Sequence, residues 1–148
     1  AGIRRLAEMN CQYHLAVSLH AADDALRNEL VPANRGVGIA AIMAAADAYF
    51  EQTGRRVTFE YVLLSGINDQ PCHARQLAHL LRGRPALINL IPYNPVPGLP
   101  FQAPSPAATA DFTRLLVENG INVAIRHRKG DRIHAACGQL RRLNNRPP

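Results

Sequence analysis

Four short runs of mostly apolar, often β-branched residues recur along the chain, at 14–19, 56–64, 86–91 and 121–126. Each is separated from the next by enough residues to hold a helix. That spacing excludes a chain of tight hairpins. A parallel connection must cross back over the sheet and takes a dozen residues or more, so strands spaced this way pair in parallel. Right-handed crossovers then give an open parallel α/β sheet or a piece of a (β/α) barrel.

The intervening segments carry helix signals. A short helix spans 2–9. Asp23 and Asp24 suit the start of a helical turn running to Val31, and Pro32 stops it. A longer helix covers 37–52, with Ile39, Ile42, Met43, Ala46 and Phe50 on one face. Gly54 ends it as a C-cap. Pro71 opens a helix that carries Leu77, Leu80 and Leu81 and stops near Gly83. Ser105 and Pro106 form an N-cap and N1 pair for a helix through Asn119, which Gly120 ends. A last small helical segment is expected from about Ala135.

In a barrel the chemistry sits in the loops after each strand. Those loops are Ser18-Leu19-His20, Ser65-Gly66-Ile67-Asn68-Asp69, Pro92-Tyr93-Asn94 and the stretch 126–138, and the topology gathers them on one rim. Strand parity refines this picture. Leu15, Val17 and Leu19 share one face of the first strand; Ala16, Ser18 and His20 share the other. A face of small and polar residues suits a ligand better than a packed layer. In the second strand Thr58 and Glu60 oppose Val57, Phe59, Tyr61 and Leu63. A carboxylate inside a buried strand needs a partner, so Glu60 is either a pocket residue or half of a structural pair.

Apolar residues make up 47% of the chain, which argues against disorder. No run approaches the roughly 20 apolar residues of a membrane span, and no signal-peptide pattern opens the chain. Cys11, Cys72 and Cys137 form no CxxC pair, which disfavours a disulfide scaffold or a zinc site. No metal ligand set is therefore expected, and the default location is cytoplasmic. The formal net charge of +6 is unevenly spread. Arg126, Arg128, Lys129, Arg132, Arg141, Arg142 and Arg146 face one acid, Asp131, while residues 1–125 hold ten bases and ten acids. A local basic stripe fits RNA or another polyanion; it fits a solvated arginine-rich tail as well.

Taken singly, the candidate residues stay ambiguous. His20 is a base, a ligand contact or a satisfied core histidine. Asn94 sits in a proline-constrained loop that either positions a side chain or merely turns. Cys137, between small neighbours and near cations, is either an accessible thiol with thiolate character or a small buried residue. Cys11 and Cys72 have no comparable setting.

Several segments in register decide among these. They are Leu15-Ala16-Val17-Ser18-Leu19-His20-Ala21, Leu30-Val31-Pro32-Ala33-Asn34, Val57-Thr58-Phe59-Glu60-Tyr61-Val62-Leu63-Leu64, Ile88-Asn89-Leu90-Ile91-Pro92-Tyr93-Asn94-Pro95, Arg128-Lys129-Gly130-Asp131 and Ala135-Ala136-Cys137-Gly138-Gln139-Leu140. Over residues 2 to about 142 the chain resembles the RlmN/Cfr family of radical S-adenosylmethionine (SAM) rRNA adenine methyltransferases, the RlmN branch more closely. The resemblance implies the second half of a partial (β/α) radical-SAM barrel at 1–143, followed by a basic, proline-containing tail at 144–148. It implies SAM contacts at Ser18, Leu19, His20 and Asn94, and a methyl-carrying cysteine at Cys137. The implied reaction passes a methyl group to the Cys137 thiolate and then, by radical chemistry, to C2 of an adenine. The implied substrate is 23S rRNA, with tRNA a candidate second one.

The family's CxxxCxxC motif for a 4Fe-4S cluster is not in this sequence. Neither are its Gly-Glu SAM contact, its second catalytic cysteine or its N-terminal RNA-binding region. The stretch 129–134 is also more basic than the family's usual acidic version. The expectation is thus a fragment whose partner is the enzyme's N-terminal half. The alternative is a non-catalytic RNA-binding or SAM-binding remnant.

Overall fold

A computed structural model of the chain describes residues 2–9, 12–32 and 36–126. Cys11, Ala33 and Asn34, and the stretch 127–148 with Cys137, the helical segment expected near Ala135 and all of the basic stripe except Arg126, lie outside the described residues.

Among the described residues nine elements follow in the order α1 (Gly2–Glu8), β1 (Ala16–Ser18), α2 (Asp24–Leu30), α3 (Ile39–Thr53), β2 (Val57–Leu63), α4 (Pro71–Leu81), β3 (Ala86–Pro92), α5 (Pro106–Glu118) and β4 (Asn122–Ile125). The four strands form one sheet in sequence order, every neighbouring pair parallel. A parallel sheet in sequence order, built with right-handed crossovers, puts its connecting helices on the same face. This is how a (β/α) barrel is built, and the α/β reading of the sequence holds.

The burial pattern agrees. In β2, Val57, Phe59, Tyr61 and Leu63 are buried, while Thr58, Glu60 and Val62 between them are half-buried. In β3, Ala86, Ile88 and Leu90 alternate in the same way with Leu87, Asn89 and Ile91. The buried set joins Leu77 and Leu81 of α4 and Phe112 and Leu116 of α5 in one core. Phe112 packs on Tyr61 with ring centroids 5.5 Å apart. Each fully buried side chain of this size contributes about 1.5–3 kcal/mol of hydrophobic stabilisation.

Helix ends follow their sequence signals. Asp23 Oδ1 accepts from the Leu26 N–H at 2.9 Å and caps α2. Asp24 Oδ1 reaches across to accept from the Ile39 N–H at 2.8 Å, so it caps α3 from a distance. Gly54 closes α3 in the left-handed region, at φ 66°. Ser105 Oγ accepts from the Ala108 N–H at 3.0 Å above Pro106.

Two details differ from expectation. The buried face of α3 is Ile39, Met43, Ala46 and Tyr49, with Ile42 and Phe50 only half-buried. Tyr49 can be buried because its hydroxyl donates to the Tyr13 carbonyl at 2.8 Å, an arrangement an apolar periodicity does not reveal. Regular strand geometry in β1 is also shorter than 14–19. Its pairing nevertheless extends beyond Ala16–Ser18, since the Thr58 N–H donates to the Leu15 carbonyl and the Leu19 N–H to the Glu60 carbonyl, each at 2.9 Å. Among the described residues, no helix is long and apolar enough to cross a membrane.

Candidate functional site

Parallel strands end together, so the segments after β1, β2 and β3 meet at one edge of the sheet. Leu19 leaves β1 with its side chain fully buried in the core. Arg27 of α2 turns back on this strand end. Its Nε donates to the Leu19 carbonyl at 2.9 Å and its Nη2 to the Ser18 carbonyl at 2.8 Å. Only 5% of Arg27 is exposed, so the guanidinium is part of the fold rather than a surface charge.

His20 follows in the left-handed region, with φ 61°, the one non-glycine there among the described residues. Such a backbone costs a non-glycine residue about 1 kcal/mol and needs support from its surroundings. The support is visible. The Val62 N–H donates to His20 Nδ1 at 3.1 Å, and Asn68 Nδ2 donates to the His20 carbonyl at 2.9 Å. With Nδ1 accepting, a neutral ring carries its proton on Nε2. Burial, and then the positive charge of Arg27, hold the His20 pKa below its ordinary value.

Asn68 ties the edge together. Its Oδ1 accepts from the Leu64 N–H at 2.7 Å, and its Nδ2 also donates to the Val62 carbonyl at 2.8 Å. The Tyr61 hydroxyl donates to the Asn68 carbonyl at 3.0 Å. Burial, then Asp23, Asp69 and Cys72, raise the Tyr61 pKa, so the hydroxyl remains a donor. Gly66, at φ 70°, lets the loop turn tightly enough to return Asn68 to this position, and Asp69 Oδ1 accepts from the Gly66 N–H at 2.9 Å.

Below the edge lies the open face. Ser18, Glu60 and Asn89 occupy one row across β1, β2 and β3, and Ala124 continues it on β4. Asn89 Nδ2 donates to Glu60 Oε2 at 2.8 Å. Glu60 is therefore half of a polar pair, on the face of β2 opposite the buried Phe59 and Tyr61. Ala16 and Ala124 leave space beside it.

The structure brings Ser18, Leu19 and His20 to this edge. Asn94 comes after β3 at the same end; the preceding Tyr93 N–H donates to the Leu63 carbonyl at 3.0 Å, and the Tyr93 ring meets Phe101 edge-on at 5.9 Å. Cys137 lies outside the described residues. Sequence reasoning missed Arg27 and underrated Asn68. Asn68 carried a signal, being the central polar residue of a rim loop. Arg27 carried little, since an arginine beside Leu26 in a helix ordinarily snorkels to solvent.

Solved structures share this fold. A radical SAM methyltransferase from Sphaerobacter thermophilus superposes with a TM-score of 0.90 at 49% identity, over 93% of this chain and 40% of that one. A domain of pyruvate-formate lyase-activating enzyme from Bacteroides vulgatus, at 19% identity and a TM-score of 0.66, shares the fold. No protein-family model matches the chain. The fold is thus that of part of a radical SAM methyltransferase.

Curated relatives narrow it. A probable dual-specificity RNA methyltransferase RlmN from Rhodopirellula baltica is 60% identical over 140 residues, 95% of this chain and 38% of that protein. One from Synechocystis is 48% identical over 94% of this chain and 40% of its own length. A ribosomal RNA large subunit methyltransferase N from Nitrosopumilus maritimus is 47% identical over 95% and 40%. Over about 95% of its length the chain matches proteins named RlmN, and it spans about two-fifths of the length of these relatives.

Proposed function

We propose that this chain supplies the cofactor-binding edge and the methyl-carrying cysteine of a radical SAM RNA methyltransferase acting on C2 of an adenine in 23S rRNA, with tRNA as a second substrate. The observation that carries the reading is the agreement between the motif positions and the strand ends. Ser18, His20 and Asn94, singled out by the sequence, all fall at one edge of the sheet, where Ser18 begins an open polar row.

The residues present fit SAM. Ser18 exposes its side chain on the open face, the Glu60–Asn89 pair offers an acceptor and a donor there, and Ala16 and Ala124 leave room. Ser18, His20 and Asn94 would hold it, with Leu19 anchoring the strand end in the core. When bound, SAM supplies methyl groups and radical chemistry. Cys137 accepts a methyl on sulfur, which requires thiolate character, and presents it to the adenine. The basic residues between Arg126 and Arg146 hold RNA phosphates.

A 4Fe-4S cluster does not fit the described residues. Cys72 is the one cysteine among them and is exposed, and no three His, Cys, Asp or Glu side chains there converge.

The test is a chimaera in which this chain replaces the matched segment of the Rhodopirellula baltica relative. Mass spectrometry of RNA incubated with it should show one added methyl on adenine. Cys137→Ala should abolish that product, while Cys72→Ala should leave it largely intact. A folded chimaera without activity would favour the non-catalytic remnant. A fully active Cys137→Ala would remove Cys137 from the chemistry.

A further inference from the structure

The pairing of β1 with β2 contains one substitution of partners. The Thr58 N–H donates to the Leu15 carbonyl. A parallel ladder advances two residues per bond, so the Val62 N–H is due to meet the Leu19 carbonyl. It does not. That carbonyl accepts from Arg27 Nε at 2.9 Å, and the Val62 N–H goes to His20 Nδ1 at 3.1 Å. The side chain of His20 has taken the place of a backbone acceptor.

We infer that Arg27 is a positioning residue that fixes His20 as a hydrogen-bond donor toward the cofactor: by occupying the Leu19 carbonyl it diverts the Val62 N–H to Nδ1, which confines the ring proton to Nε2. The part of this that concerns the cofactor rests on the function proposed above; Arg27's control of the ring does not.

Three further observations support it. Arg27 is buried and also holds the Ser18 carbonyl at 2.8 Å, so both carbonyls of the strand end are fixed by one rigid planar group. Asn68 holds the His20 carbonyl at 2.9 Å and pins the left-handed backbone that swings the ring over β2. A second proton on the ring would set Nδ1–H against the Val62 N–H, two donors facing one another. The depressed His20 pKa, caused by burial and then by Arg27, has the same sense. The consequence is a defined polarity. Nε2–H offers a donor to an acceptor atom of the ligand, such as a carboxylate, a ribose oxygen or a ring nitrogen, and it carries no charge to oppose a sulfonium.

The experiment has two arms. In the first, the full chain is labelled with 15N-histidine, and His20 is assigned by its loss in His20→Gln. At neutral pH the expected spectrum has a proton on Nε2 and none on Nδ1. Arg27→Met fills similar volume without donors. It should release the Leu19 carbonyl to the Val62 N–H and give His20 a mixture of the two tautomers. Arg27→Lys serves if the Met variant does not fold, since an ammonium cannot reproduce the planar fork. An unchanged Nε2–H signature in the folded Arg27 variant would overturn the inference.

The second arm measures SAM binding to the chimaera by calorimetry. His20→Gln keeps an acceptor for Val62 and a donor for the ligand; His20→Glu keeps only acceptors. The Glu variant should bind about tenfold more weakly than the Gln variant, the scale of losing one hydrogen bond. Equal affinities would overturn the donor assignment. If the tautomer responds to Arg27 as expected while no variant or parent binds SAM, Arg27's control of His20 stands and the cofactor reading fails.

Discussion

Removing the Asn68 amide should be the most damaging single change at the strand edge, although no ligand is involved. Its side chain is fully buried and serves three backbone groups: the Leu64 N–H, the Val62 carbonyl and the His20 carbonyl. Asn68→Ala strands all three. A buried group that loses its partner costs roughly 1–3 kcal/mol, so even with partial relaxation the sum is about 3–5 kcal/mol. Small domains have only about 5–15 kcal/mol in total. Asn68→Asp is the sharper probe because its volume is nearly unchanged. One oxygen still accepts from Leu64, but the other now faces two carbonyls, and a buried charge is added. It should cost at least as much as Ala. Tyr61→Phe removes only the hydroxyl that donates to the Asn68 carbonyl, and should cost about 1 kcal/mol. Urea unfolding followed by circular dichroism measures all three, and for a chain of this size about 4 kcal/mol corresponds to roughly 8–16 °C in Tm. A loss below about 1 kcal/mol for Asn68→Asp, with an unchanged urea slope, would show that the amide network does not hold this edge.

Because the folded state lowers the His20 pKa below 6.5, the unfolded chain binds the proton more readily. The stability due to this neutral histidine is complete above about pH 6.5 and falls as the pH drops from there toward the folded value. Parallel urea titrations of the parent and His20→Gln should converge in that window; an acid-independent difference would contradict it. In the basic stripe, neutralising Arg128, Lys129, Arg141 and Arg142 should weaken RNA binding and flatten its log–log salt dependence by about 0.7–0.9 for each phosphate left without its cation. An unchanged slope would make the stripe a solvated surface.

What could be read from the sequence was whatever repeats or punctuates. The parallel α/β order, the caps at Asp23, Gly54 and Ser105, and the two faces of β2 all follow from periodicity and from residues with narrow backbone preferences. The candidate positions Ser18, Leu19, His20 and Asn94 were legible through motif segments. The connections between them were not. Arg27 bonds to carbonyls eight and nine residues back, Asn68 reaches His20 across 48 positions, and Tyr49 finds Tyr13 across 36. Each bond depends on where the backbone has already gone, and no local pattern encodes that. The same limit explains Glu60. Its parity gave the face, but its partner Asn89 lies 29 residues on, in another strand.

The two faces of β2 put a core residue and a polar-pair residue next to one another, and this gives the sharpest test of the open face as a site. Phe59 is 1% exposed and belongs to the core beneath the helices, whereas Glu60, next in the chain, lies on the open face with Asn89. If the open face is a ligand surface, its residues contribute little to the folding of the ligand-free protein. Phe59→Ala should then cost about 3–5 kcal/mol, while Glu60→Gln, which keeps an oxygen for Asn89, should stay within about 0.5 kcal/mol. The order should reverse for SAM binding in the chimaera, where Glu60→Gln removes a charge from the polar row and a folded Phe59→Leu leaves that row intact. A Glu60→Gln change that costs several kcal/mol and leaves binding untouched would make the Glu60–Asn89 pair a structural cross-link, and the open face a buried layer rather than a site.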